Sequence, residues 1–376
     1  MKKFRGIWVA AALLLAAVLG GCQRRPLEDA FHTSLKVIIK CLWSVEMYPD
    51  GIKPTGVTFY IFRDGQFYSS ITTANVDSCE VQLPEGSYRL YMISQSPQEY
   101  WKMEFANMTD FNGAETTLRT KSTPSWVSSR AGSGSDTVVE NPEILYAGVS
   151  ENFEITEEMT EEYQYHYSIL KSLQSKAAGG TKAGTKADEE LAYYTEKVEY
   201  YTIRVNLKPQ NIVSQLWITI YSGNADVLKS VRASTSGMAR TFELTRFTTN
   251  DDEAIQIISE WKLTMDDTDR RVGHLDGLIN SFGLPGGERP SAVRDSTLNV
   301  SALLVDDATV ADYTFSVGDK IELLSPNPGY FNLYRLVFGS VDNPAITPPD
   351  VQPSGGGGFT AGVTDWGDEI QADIPI

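Results

Sequence analysis

Apolar residues alternate with polar ones through many short stretches of this chain, and that period of two limits its fold more than any other feature. Leu35, Val37, Ile39 and Cys41 share one side of a run that ends at Trp43. Successive side chains of a strand point to opposite faces, so this run reads as a half-buried strand. Val57–Phe62 is a second run of the same kind; it is closed by Asp64-Gly65 and followed by residues 66–71. Asp-Gly supplies the positive φ angles of a two-residue turn, so these two runs are expected to pair. Residues 79–83 and 88–93 flank Pro84-Glu85-Gly86, where proline fixes one φ and glycine frees the next, and a second hairpin is expected there. Strand patterns return in residues 201–207, 216–220, 242–244, 255–265, 298–304, 313–317, 320–324 and 330–338. Many short strands with little helix define an all-β chain, and 376 residues suffice for two sandwich-sized domains with real cores.

Residues 156–197 break the pattern. Met159, Tyr163, His166/Tyr167, Leu170 and Leu173 fall at helical spacing, and Leu191, Tyr194, Val198 and Tyr201 repeat it. Between them, residues 177–187 are an Ala/Gly/Thr/Lys stretch too poor in apolar groups to build a core. The segment is expected to be a partly helical or disordered insertion carrying two short helices. Residues 119–141, rich in Ser, Thr and Gly, read as an exposed loop.

The start of the chain has its own logic. Lys2, Lys3 and Arg5 precede an uncharged apolar run from Ile7 to Leu19, then Gly20-Gly21-Cys22. A basic start, a short apolar core and small residues before a cut describe a secretory signal. The small pair before a cysteine resembles the lipobox of bacterial lipoproteins. That resemblance implies cleavage after Gly21, lipidation of Cys22 and a membrane tether. The expected organisation is a signal over 1–21, a tether over 22–32, one β-sandwich over 33–155, the insertion over 156–197 and a second β-sandwich over 198–376.

Charge and composition exclude several roles. The formal net charge is −17, and the signal holds three of the positive residues and no acid. Nucleic acid is therefore not an expected partner, since phosphate binding needs Lys and Arg. His32, His166 and His274 are the only histidines, and none sits in a recognisable nucleophile setting. No Gly-x-Ser-x-Gly, His-Glu-x-x-His or phosphate-loop motif occurs, so neither an enzyme nor a cofactor is expected. Asp251-Asp252-Glu253 and Asp266-Asp267-Thr268-Asp269 offer oxygen ligands without calcium-loop spacing, and read as solvated turns rather than metal sites. Cys41 and Cys79 lie on buried faces, as two thiols or as a disulfide; the sequence leaves both open. Six of the seven tryptophans lie beyond the signal, most of them in alternating runs where core packing is the expected use. Trp126, in a Ser-rich loop, is the candidate ligand contact.

Taken in order, these motifs resemble a family. The Gly20-Gly21-Cys22 start, Val57–Phe62 with Asp64-Gly65, and Leu83-Pro84-Glu85-Gly86-Ser87-Tyr88 look like the first half of Bacteroidales fimbrillin-like lipoproteins of the FimA/FimB (type V pilus) superfamily. Ser236-Gly237-Met238-Ala239, Phe282-Gly283-Leu284, residues 298–305 and Phe315–Ile321 are similar to the second half. The resemblance covers most of the chain except 156–197. It implies two transthyretin-like (Ig-like) β-sandwiches in tandem on a lipid-anchored, surface-exposed protein of the outer membrane. It also implies pilin or other fimbrial subunits as partners, joined by β-strand complementation, with a host glycan or protein as a further partner.

Shaft subunits of that family lose their first strand to an arginine protease. Here Arg63 lies inside a hairpin, whereas Arg24 and Arg25 precede the first strand. Neither suits such processing, which favours an anchor or accessory subunit. A glycine spacer, 355–358, precedes a last segment in which Phe359, Val363, Trp366, Ile370, Ile374 and Ile376 form either a candidate donor strand or a last strand that completes the chain's own second sandwich. A glycan-binding surface lipoprotein of a nutrient-uptake system is the alternative.

Overall fold

The computed structural model describes residues 34–43, 53–124, 137–178, 185–258, 260–284, 296–317, 322–323 and 333–354. The fold is all-β. The first strands are β1 (Ser34–Cys41), β2 (Val57–Arg63), β3 (Gln66–Thr73), β4 (Ser78–Pro84) and β5 (Gly86–Ser94). Then come β6 (Met103–Ala106), β7 (Glu115–Leu118), β8 (Val138–Val139), β9 (Tyr146–Val149) and β10 (Phe153–Ile155). Helices α1 (Glu157–Ala178) and α2 (Thr185–Tyr201) follow. After them lie β11 (Ile203–Leu207), β12 (Gln210–Asn211), β13 (Ser214–Gly223), β14 (Leu228–Ala239), β15 (Thr241–Glu243) and β16 (Thr248–Thr249). The last are β17 (Glu253–Ile258), β18 (Trp261–Met265), β19 (Val272–Ser281), β20 (Thr297–Leu304), β21 (Val310–Ser316), β22 (Glu322–Leu323) and β23 (Leu333–Phe338).

Five sheets result. Their orders are β11-β1-β4, β12-β9-β5-β2-β3 with β10 on β5, β16-β15-β7-β6, β21-β20-β14-β17-β8 and β18-β19-β13-β23-β22. Four of them join strands from before the helices to strands from after them: β1 with β11, β9 with β12, β7 with β15 and β8 with β17.

The chain divides into two compact units. One comprises Met1–Ile38, Glu80–Gly86 and Glu154–Arg204; the other holds Ile39–Cys79, Ser87–Phe153 and Val205–Ile376. In the first, α1 begins at Thr156, whose hydroxyl accepts from the Met159 amide at 3.3 Å, with Glu157 and Glu158 favouring the positive helix end. Thr160, Tyr163, His166 and Leu170 form its buried stripe. The His166 ring meets Tyr194 at 5.8 Å and stacks on Tyr201 at 5.9 Å, which couples α1 to α2.

These helices have 22 and 17 residues, where two short ones were expected. Ala177, Ala178 and Thr185–Ala187 are helical too, because alanine and lysine favour a helix even where they bring no apolar face.

The second unit holds two cores. In the larger, Leu216, Ile218 and Ile220 of β13, Leu275 and Ile279 of β19, and Leu336 and Phe338 of β23 face Leu298, Val300, Ala302 and Leu304 of β20. This is a sandwich of two five-stranded sheets. Each such side chain, fully buried, contributes roughly 1.5–3 kcal/mol. The other core joins Tyr60, Phe62, Tyr91, Ile93 and Phe111 to Phe242, Leu244 and Phe282. Tyr60 and Tyr91 stack at 4.8 Å, and Phe62 meets Phe111 edge-on at 5.3 Å.

Expectations met here include β1, whose Leu35, Val37, Ile39 and Cys41 are buried as their alternation requires. The Asp64-Gly65 turn is a two-residue hairpin with φ of 52° and 78°, and Arg63 faces Gln66 across it.

Within residues 119–141, read as an exposed loop, Val138 and Val139 are instead the buried strand β8. Three further expectations need correction. β2 was read as half-buried, yet Val57–Phe62 are all buried, because the strand is central and covered on both faces. Residues 79–93 are not a hairpin: β4 and β5 lie in different sheets, so Pro84-Glu85-Gly86 carries the chain from one sheet to another. Residues 255–265 are not one strand; β17 and β18 belong to facing sheets, and the chain crosses between them.

Candidate functional site

Period two places the candidate site. With Leu216, Ile218 and Ile220 in the core, β13 turns Gln215, Trp217, Thr219 and Tyr221 to the outer face. Antiparallel β19 sets Asn280, Leu278, Asp276 and His274 opposite these four in turn. On the far side of β19, Lys262 of β18 pairs with Asp276. The outcome is a wet sheet face with Trp217 47% exposed and Leu278 48% exposed at its centre. The neighbouring sheet positions are polar, as a solvated face requires.

A groove of about 670 Å³ opens there, and Trp261, Glu260 and Lys262 line it together with Asn141, Pro142 and Lys102. Its base is pre-set by hydrogen bonds. Gln215 Nε2 donates to Asn280 Oδ1 at 3.3 Å, and Asn280 Nδ2 donates to the Pro142 carbonyl at 3.3 Å. Buried Gln256 donates through Nε2 to Asn141 Oδ1 and to the Asn280 carbonyl, both at 3.1 Å. Asn141 Nδ2 donates in turn to the Ile257 carbonyl at 3.0 Å. At the other end, Asp276 accepts from the Thr219 hydroxyl at 2.7 Å and lies 3.2 Å from His274 Nε2. Gly277 lets Trp261 lie close over the sheet: a Cβ there would stand 3.0 Å from the indole.

A second feature is an edge. β3 ends its sheet among the described residues, and its sequence Gln-Phe-Tyr-Ser-Ser-Ile-Thr-Thr has neither a charge nor a proline. Native edges are commonly blunted by those very residues, so beyond the register shift at Tyr68 the edge from Ser69 to Thr73 is suited to accepting a strand. Its turn is firmly held: the Asp64 amide donates to the Ser87 carbonyl at 2.7 Å, and Asp64 Oδ1 accepts from the Ser87 amide at 2.9 Å.

Cys22, Gly21, Trp126 and the candidate donor strand (Phe359, Val363, Trp366, Ile370, Ile374, Ile376) lie outside the described residues. Trp101 is 79% exposed, while Tyr163 is buried and Tyr165 exposed on α1. Sequence reasoning missed Trp217 as a surface residue by counting it with the core, whereas Trp261 does pack against the core as expected. The signal was present for Trp217, which alternates with Leu216 and Ile218. Asp266 and Asp269 cap their own turn: Asp266 accepts from the amides of Thr268 and Asp269 at 2.7 and 3.1 Å, and Asp269 accepts from that of Arg271 at 3.0 Å. Bonds from Thr268 and Asp269 hold the Asp266 carboxyl below its usual range. Among the described residues, no cluster of three or more His, Cys, Asp or Glu side chains is placed to hold a metal, and no helix is long and apolar enough to cross a membrane. Cys41 and Cys79 are thiols, not a disulfide. Burial, with Asp77 and Cys79 close by, pushes the Cys41 thiol up to about 12.

The architecture is that of an all-β tandem-sandwich protein. The chain matches, over residues 21–259, the family described as a domain of unknown function (DUF5119), and it belongs to that family. Among curated proteins none matches it. A candidate adhesin from Bacteroides ovatus is similar at 12% identity with a TM-score of 0.50, over 88% of this chain and 98% of the other. The fimbrial anchor protein Mfa2 from Porphyromonas gingivalis aligns at 10% identity and a TM-score of 0.41, over 81% and 90% of the two chains. A candidate polysaccharide-binding protein (DUF1812) from Bacteroides thetaiotaomicron aligns at 11% identity and a TM-score of 0.42, over 81% and 91%. The likeness to the Bacteroides ovatus protein is one of fold.

Proposed function

We propose that this chain is a non-enzymatic surface lipoprotein, held on the outer membrane through Cys22, that serves as an anchor or accessory subunit of a fimbrium. Its role is cell adhesion and pilus assembly, and its subunits join by strand addition. The observation that carries this reading is the β3 edge, eight uncharged and proline-free residues at the end of its sheet. An added strand gains a ladder of main-chain hydrogen bonds there, and alternate side chains set its register. Support comes from the fold shared with the Bacteroides ovatus candidate adhesin and from the names of the fimbrial neighbours. The strand this chain gives to a neighbour is proposed to be 359–376, and loss of assembly by a folded chain ending at Gly358 is the expected result of removing it.

The test is the N-terminus and assembly state of the protein from its own cells. A chain beginning at lipidated Cys22, present at low stoichiometry in sheared filaments, supports the proposal. A chain trimmed past β1 and abundant in filaments makes it a shaft subunit, and absence from every filament overturns the fimbrial reading.

A further inference from the structure

We propose that the groove on the outer face of β13 and β19 binds a neutral oligosaccharide, with the Trp217 indole as its stacking platform. Three features of the site converge on that ligand class. First, the backbone of β13 is paired with β19 over ten consecutive residues and with β23 on its other side. No main-chain ladder of β13 is open to an extended peptide, so a ligand lying on that strand must bond to side chains. Second, those side chains are planar amides and carboxylates beside a flat aromatic: Gln215, Asn280 and Asp276 next to Trp217. Amide and carboxylate groups accept and donate to adjacent hydroxyls, while the apolar face of a pyranose ring lies on an indole; a few placed polar groups against aromatic surface make a small-molecule site. Third, the charges balance. Lys102 and Lys262 are matched by Glu260 and Asp276 around the groove, which selects neither an anion nor a cation.

Trp217 and Leu278 stand about half exposed at adjacent positions in mid-sheet, where the alternation calls for polar groups. The amide network from Gln256 through Asn141, Asn280 and Gln215 fixes the base before any ligand arrives. This inference is independent of fimbrial assembly, because it concerns a face of the folded chain and not the β3 edge.

The experiment uses the full mature chain, released from its membrane in detergent, on an array of host, plant and bacterial glycans, followed by titration of the strongest ligand. Trp217→Ala is expected to weaken binding by about tenfold or more, in the range of a stacking anchor. Gln215→Ala should weaken it less, and Trp101→Ala, outside the groove, should leave it unchanged. Thermal melting of each variant separates lost contact from lost fold, and Trp217→Phe should restore part of the affinity. The class of glycan bound tells a host ligand from a bacterial one. No binding on the array, or binding indifferent to Trp217→Ala, overturns the proposal. Self-association abolished by Trp217→Ala, with no glycan bound, also overturns it and makes the face a protein interface.

Discussion

β2 and β13 are both central strands, yet they use their two faces in opposite ways. β2 reads Val-Thr-Phe-Tyr-Ile-Phe and is buried on both sides, so nearly every side chain is apolar and every one is accounted for by packing. β13 buries Leu216, Ile218 and Ile220 on one side and gives Gln215, Trp217 and Tyr221 to the other. A large apolar residue in β2 obeys its surroundings; Trp217 contradicts them. Leaving Leu278 half in water beside it forgoes about 1 kcal/mol of burial. The lesson is that an aromatic residue signifies function only after the strand's own period has shown which face it occupies.

The comparison can be broken by substitution. The largest effect is expected from Phe59→Ala in β2, a cost of about 3–5 kcal/mol, because Phe59 is fully buried and its removal leaves a cavity. Denaturant unfolding measures it, and Trp217→Ala should shift the same curve by less than about 1 kcal/mol. A small shift for both would mean that β2 is not the dry strand described. Gly277→Val comes next, at about 1–3 kcal/mol, since its first carbon alone would reach Trp261 and Ile258 at 3.0 and 3.1 Å. Indole fluorescence should change with it as Trp261 is displaced.

The Cys41 thiol sharpens the contrast through pH. It ionises at 9.0 in an ordinary setting and at about 12 in the fold. Between those values the unfolded chain has released a proton that the folded chain retains, so stability is lost as pH rises through that window. Cys41→Ala should flatten the pH dependence of unfolding there; equal slopes for both proteins would mean the thiol is not buried as described. The smallest effect belongs to Ser70→Lys, on the exposed side of β3, which should change stability by less than about 0.5 kcal/mol and yet stop strand addition.

Much of the fold is readable from residues. β1 shows its alternation, and the Asp64-Gly65 turn carries its own conformation. Other parts leave no local trace. Pro84-Glu85-Gly86 encodes a reversal, but not whether the strands it joins remain in one sheet. β19 escaped the sequence reading because two of its inward positions are glycine. A Cβ at Gly273 would stand 2.7 Å from the Thr264 carbonyl, and at Gly277 it would press on Trp261, so the apolar signal is missing where packing is tightest. β14, with Ser230, Arg232, Ser234 and Ser236, hides a long strand in polar residues. Pairings such as β7 with β15 join residues more than a hundred positions apart, and local composition cannot announce them.

The groove was half legible. Leu216, Ile218 and Ile220 already assigned Trp217 to the wet face, whereas the part played by Asn141 and Pro142 depends on tertiary placement.

The most direct measurement is cross-linking in the native cells, from a photoreactive residue placed at Ser70 of the protein. A covalent adduct to a segment of another fimbrial subunit, lost when Ser69→Pro is added to the same edge, is the predicted result. Adducts confined to this chain itself, in cells that make filaments containing it, would contradict strand addition at β3.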